Sequence, residues 1–207
     1  NHGTRVRTWI EGGTNNELGS AKAQIAEIDR LLKPLDHDFR KDLAIVCESH
    51  NLDDLDKLEK YRLSNPYGNS DEETVNLQYC AAILRTVHLI QITRHRAPSV
   101  LYRLINPVDP ISQSEWAKQN SVKRVRAKVA QDREGNASLD IQSDTIEVFA
   151  TFIDQNGFFG LTSYLQYAEE QVSVTYNILQ RSKQKIGRNY RFPWRYVDDN
   201  NIQVDGF

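Results

Sequence analysis

A mainly α-helical bundle carrying a small antiparallel β-ribbon is the fold that this sequence of 207 residues predicts. Three observations lead to it. Apolar residues recur at helical spacing through long stretches before residue 120 and again after residue 160. The region between them switches to strict alternation, the period of a strand. The prolines fall between these stretches rather than inside them.

Each element has its own signal. Residues 11–20, EGGTNNELGS, read as a loop. A helix follows over about residues 21–32, with Ala23, Ile25, Ile28, Leu31 and Leu32 apolar, and Pro34 stops it. Asp36 is placed to cap a second helix over residues 37–50, whose apolar stripe is Phe39, Leu43, Val46 and Cys47, with His50 on the same stripe. The segment NLDDLDKLEKY is a short acidic helix or turn, and SNPYGNS is a break. Ser70 with Glu73 forms a capping box opening a helix over residues 71–92, apolar nearly all round and therefore central. Pro98, Pro107 and Pro110 interrupt the chain, and Ser112 with Glu115 opens a short helix through Gln119. Val125, Ala127 and Val129 alternate with Arg124, Arg126 and Lys128, and Ile146, Val148, Ala150 and Phe152 alternate again, with a turn at residues 133–136. Leu161, Leu165, Ala168, Val172, Tyr176 and Leu179 then share one face of a helix over residues 161–182. The last stretch shows no long periodicity and reads as a connector.

Composition bounds the function. Hydrophobic residues make up 39% and charged residues 26%, a soluble globular balance, and the length suits a core that buries roughly 70% of the unfolded surface. The net charge of -2 and pI near 6.2 argue against a nucleic-acid coat protein. No apolar run reaches the ~18 residues of a membrane span, so no membrane partner is expected. The two cysteines, Cys47 and Cys80, are too few for a disulfide scaffold and point to a reducing, cytoplasmic setting. The chain has no methionine, even at position 1, as expected of a fragment or processed product.

Few residues can carry chemistry. His37 and Asp38 form a literal His-Asp dipeptide, but His37 stands roughly 20 Å along the predicted helix from His50 and on the opposite side, so it belongs to the surface. His50, on the buried stripe, reads as a satisfied core histidine or as a ligand. Arg85, His88 and Gln91 run up one side of the central helix. They make either a structural seam paired with acids such as Glu48 or Asp54, or a polar site inside a helical bundle. Arg94, His95, Arg96 and Arg103 cluster just beyond. The basic run from Arg181 to Arg195, interleaved with Tyr190, Phe192 and Trp194, suits docking against another domain better than nucleic acid, given the acidic overall balance. CxxC, HExxH, GxSxG and phosphate-cradling glycine loops are absent from the sequence.

The run AAILRTVHLIQITRHRAPSVLYRLINPVDPISQSEWAKQNSV resembles the last helix and following segment of a subgroup of HD-superfamily domains that precedes an Hsp90-like ATPase domain in larger bacterial proteins. NHGTRV, CESHNLDDL, DTIEVFATFIDQNGFFGLTSYLQYAEEQ and YRFPWRYVDDNNIQVDGF are similar to further stretches of the same domains. The resemblance implies an HD-like helical bundle over residues 1–120 with its upstream part missing. The β-ribbon and long helix of residues 121–185 would pack on it, and residues 186–207 would lead toward the ATPase domain. It implies His2, His50 and His88 as metal positions and Arg85 and Arg96 as phosphate-binding positions. A divalent metal (Fe, Mn, Zn or Mg) and a nucleotide or phosphate-ester ligand come with it. The sequence departs from the pattern at His88, where the family has an aspartate, and His37-Asp38 stands in the wrong place for the family dipeptide. Weak or absent metal binding is therefore expected, in a degenerate domain that regulates or docks to the ATPase. An active phosphohydrolase is the alternative once an upstream His-Asp segment is supplied.

Overall fold

The structure is a computed structural model that describes residues 2–12, 18–67, 74–96, 99–138, 143–153, 155, 157–186 and 191–205. The fold is mainly helical. The chain divides into two compact units, Asn1–His88 with Ile178–Tyr190, and Leu89–Asn177 with Arg191–Phe207.

In the first unit, α1 (His2–Ile10) packs on α3 (His37–Ser49), and α2 (Leu18–Leu32) packs on α1. The α1–α3 approach is close enough to need Gly3: a Cβ there would stand 2.9 Å from the Glu48 carbonyl oxygen. Asp36 caps α3 as expected, accepting the Asp38 N–H. The expected stripe is corrected. Phe39, Leu43, Val46 and Cys47 are only half-buried, whereas the fully buried residues of α3 are Asp42, Ala44, Glu48 and Ser49. A small antiparallel pair, β1 (Asn65–Pro66) and β2 (Thr74–Val75), precedes α4 (Leu77–Ile90). That helix begins six residues later than expected. Asn76 caps it by accepting the Tyr79 N–H, and the chain before it is extended. Ser70 and Glu73 lie outside the described residues.

In the second unit, a 3-10 turn (Arg94–Arg96) and α5 (Ser99–Ile105) lead to α6 (Pro110–Ser121). The cap of α6 is Asp109, whose carboxylate accepts the N–H groups of Ile111 and Ser112, with Pro110 in the first turn. Glu115 bonds Lys118 instead of closing a capping box. The ribbon appears as β3 (Val122–Ala127) antiparallel to β4 (Thr145–Phe152), and a third strand, β5 (Tyr196–Val204), lies parallel to β4. The expected two-stranded ribbon is thus a three-stranded mixed sheet in the order β3-β4-β5. A parallel neighbour needs a crossover connection, and α7 (Phe158–Ile186) lies in the one that joins β4 to β5.

The inward residues Val148, Ala150 and Phe152 of β4 meet Leu161 and Leu165 of α7, with Ile92 and Val122 completing the cluster. The start of α7 is fixed by Gly157 at φ 78°, where a Cβ would stand 2.5 Å from the Lys118 nitrogen. On the outward face Arg124 and Arg126 both place their guanidinium over Phe149. Among the described residues no helix is long and apolar enough to cross a membrane.

Candidate functional site

The first unit brings His2, His50 and His88 together. His2 opens α1, and its ring meets that of His50 edge-on, 5.7 Å between centres. His50 is the residue that ends α3, and its ring lies 4.6 Å from that of His88 on α4. His50 is the middle member of the row and is half-buried, as is His88, while His2 is exposed. The Cys47 carbonyl sits on Nδ1 of His50. A carbonyl only accepts, so the proton belongs on Nδ1 and the lone pair on Nε2, the arrangement a ligating histidine adopts. His37 is exposed at the start of α3, away from this row as its helical phase requires.

Arg85 anchors the floor of the site. It is 8% exposed, and Nη1 donates to the Ser49 carbonyl at 2.8 Å and to that of Leu52. Ser49 ends α3 and its carbonyl also accepts the Leu52 N–H, so the cation adds a donor at the negative end of the helix and to the Leu52 carbonyl just beyond it. Asp53 stands 3.7 Å from Nη2 and is almost fully exposed. The acids expected beside Arg85 have other partners: Glu48 receives Arg7 at 2.9 Å, and Asp54 receives Lys60 and the Tyr61 hydroxyl. Burial raises the Asp54 carboxyl, but those hydrogen bonds outweigh it and hold the group below its ordinary value. Burial and Asp54 push the Tyr61 phenol far up, so it stays a donor. The backbone of Arg96 lies in the 3-10 turn, and its side chain lies outside the described residues.

A divalent ion is what an HD-type site implies, and the residues can be tested against it. Two imidazole nitrogens holding one ion at about 2.1 Å leave ring centres roughly 5 Å apart. The two ring spacings here bracket that value. The donors do not converge, however: among the described residues no three His, Cys, Asp or Glu side chains form a group that could hold a metal. Glu48 and Asp54, the buried or half-buried acids near the row in sequence, are committed to cations. The described residues therefore do not fit a divalent ion by themselves.

A second polar centre was not visible in the sequence. Asp42 of α3, 2% exposed, accepts both contacts of Arg62 Nη2 at 2.7 and 2.8 Å, Asn65 Nδ2 at 2.8 Å and the Tyr67 hydroxyl. It lies at the base of a cleft of about 430 Å³. Burial and Asp42 raise the Tyr67 phenol well above its usual range, so it remains a donor. Asp42 carried no sequence signal, because its partners lie 20 and more residues away.

No curated protein and no solved structure matches the chain. The model of one family, HD-CE, matches residues 1–173. That span includes all three histidines and Arg85, and covers well over half of the 207 residues: the chain belongs to the HD-CE family.

Proposed function

We propose that this chain is a degenerate HD-type domain that acts as a regulatory or docking module of a bacterial, cytoplasmic Hsp90-like ATPase protein. The observation that carries the reading is at residue 88. Where the HD pattern it resembles has a metal-holding aspartate, an imidazole packs against His50. The neighbouring Arg85, in place of reaching for a phosphate, spends its guanidinium on the carbonyls at the end of α3. A ring tilted against a ring and an arginine bonded to backbone support a scaffold role for these side chains. The role of the ATPase as partner rests on the sequence resemblance alone.

Elemental analysis of protein purified without added metal, with hydrolysis of p-nitrophenyl phosphate and of nucleotides in Mn, Fe, Zn and Mg, tests the reading. Substoichiometric metal and no turnover are expected. Turnover that is lost in His50→Ala would overturn it and establish the phosphohydrolase alternative, which the grouping of His2, His50 and His88 favours. The ATPase arm is tested separately, by ATP hydrolysis of an Hsp90-like domain from the same polypeptide with and without this chain attached. An unchanged rate removes that arm.

A further inference from the structure

Among the described residues, the second unit exposes a set of apolar side chains on α5 and at the start of α6. Val100, Leu101, Leu104 and Ile105 of α5, Val108 of the connecting loop and Ile111 of α6 are between 45% and 84% exposed. Tyr102 packs edge-on against Trp116, 5.5 Å between ring centres, and ties α5 to α6. Asn106 ends α5 at φ 44° with its N–H on the Tyr102 carbonyl, and Gln113 donates to the Pro107 carbonyl.

Charge says what fits there. Residues 91–108 contain no acid, while Arg94, His95 and Arg103, in the same stretch of sequence as the apolar side chains, are exposed. The first acid, Asp109, is spent on the N–H groups of α6. A two-fold dimer through this face would set the same cations against one another, which disfavours a second copy.

We propose that the α5–α6 face is a docking surface for an acidic amphipathic helix, whose apolar stripe covers Val100, Leu104 and Ile111 and whose carboxylates meet Arg94 and Arg103. This gives the docking role a surface without depending on whether the histidine row is catalytic.

The test uses the full chain and a fluorescein-labelled helical peptide of leucine and glutamate, with leucines at i, i+3, i+4 and i+7. Fluorescence anisotropy should show micromolar binding that weakens about tenfold from low to high salt. Leu104→Asp and Arg103→Glu should each weaken it at least about tenfold, and Leu31→Asp on α2 should leave it unchanged. Val108→Asp, in a loop and 84% exposed, repeats the test without touching a helix. Absence of peptide binding overturns the proposal, as does equal binding of a peptide with lysine for glutamate. Self-association lost in Leu104→Asp would make the face an interface between copies. Capture by phosphatidylserine vesicles but not by the peptide would make it a membrane contact. The metal and phosphate-ester assays are unaffected by these variants, so failure here is distinct from failure of the degenerate-domain reading.

Discussion

The imidazole of His50 rests against that of His88 with ring centres 4.6 Å apart and planes inclined at 56°. The contact joins the end of α3 to the last turn of α4. His88→Asp should raise zinc or manganese affinity about tenfold over the parent chain, because a carboxylate adds a charged oxygen donor beside His50 Nε2. Competition with a chromophoric chelator measures it. Unchanged affinity would show that residue 88 is not what limits the site.

Arg85 should be a stability residue. Removing a buried cation leaves the Ser49 and Leu52 carbonyls without it, at a cost of about 3 kcal/mol for Arg85→Ala. Arg85→Lys should recover less than half, since an ammonium is more strongly hydrated than a guanidinium and its side chain is shorter than the one that carries Nη1 to both oxygens. Urea denaturation followed by circular dichroism gives both values. A loss below about 1 kcal/mol in Arg85→Ala would free the arginine for a ligand role.

Asp54 makes part of the stability depend on pH. Its folded carboxyl lies below its ordinary value of 3.8, so the folded state binds fewer protons than the unfolded chain. Its contribution is complete above the ordinary value and is lost as pH falls through the folded one. Asp54→Asn should therefore flatten the decline of the urea midpoint below about pH 4. An acid limb of unchanged slope in the variant would contradict this.

Parts of this architecture were legible and parts were not, for physical reasons. The long helix α7 shows in the sequence because it buries one continuous stripe, with Leu161, Leu165, Ala168, Val172 and Leu179 all in the core. The pairing of β3 with β4 shows because both alternate cleanly. The strand β5 hides because its pairing with β4 shifts register between Glu147 and Phe149, so that Val197 and Ile202 face inward in different phases. The face of α3 hides because it buries Asp42 and Glu48 in ion pairs, and pattern reading assigns buried faces to apolar residues. The meeting of His50 and His88 was legible from helical phase. The partners of Arg85 were not, because backbone carbonyls have no residue type to read.

Asp42 should be the most sensitive polar position of the first unit. It is a single buried carboxylate with donors from Arg62, Asn65 and Tyr67. Asp42→Ala should cost about 3–5 kcal/mol, because it strands three donors, whereas Tyr67→Phe removes one and should cost about 1 kcal/mol. Thermal unfolding of both variants gives the comparison. Equal losses would mean that the cluster is not organised around the carboxylate.

The segment before β5 should act as an anchor and not as a nucleic-acid site. Phe192 is 4% exposed and packs edge-on against Trp194, itself half-buried, and Arg195 lies over Tyr176 of α7. Pro193 between the two rings fixes its own backbone and favours an extended chain at Phe192, which carries the segment to the edge of β4. Base stacking would need those rings open beside a basic groove, and Phe192 is closed. Phe192→Ala should therefore cost about 3–4 kcal/mol by leaving a cavity where the buried ring packs. Electrophoretic shift assays with single-stranded DNA and RNA at two salt concentrations should show no submicromolar complex. A complex that weakens steeply with salt and disappears in Trp194→Ala would instead make the segment a nucleic-acid contact.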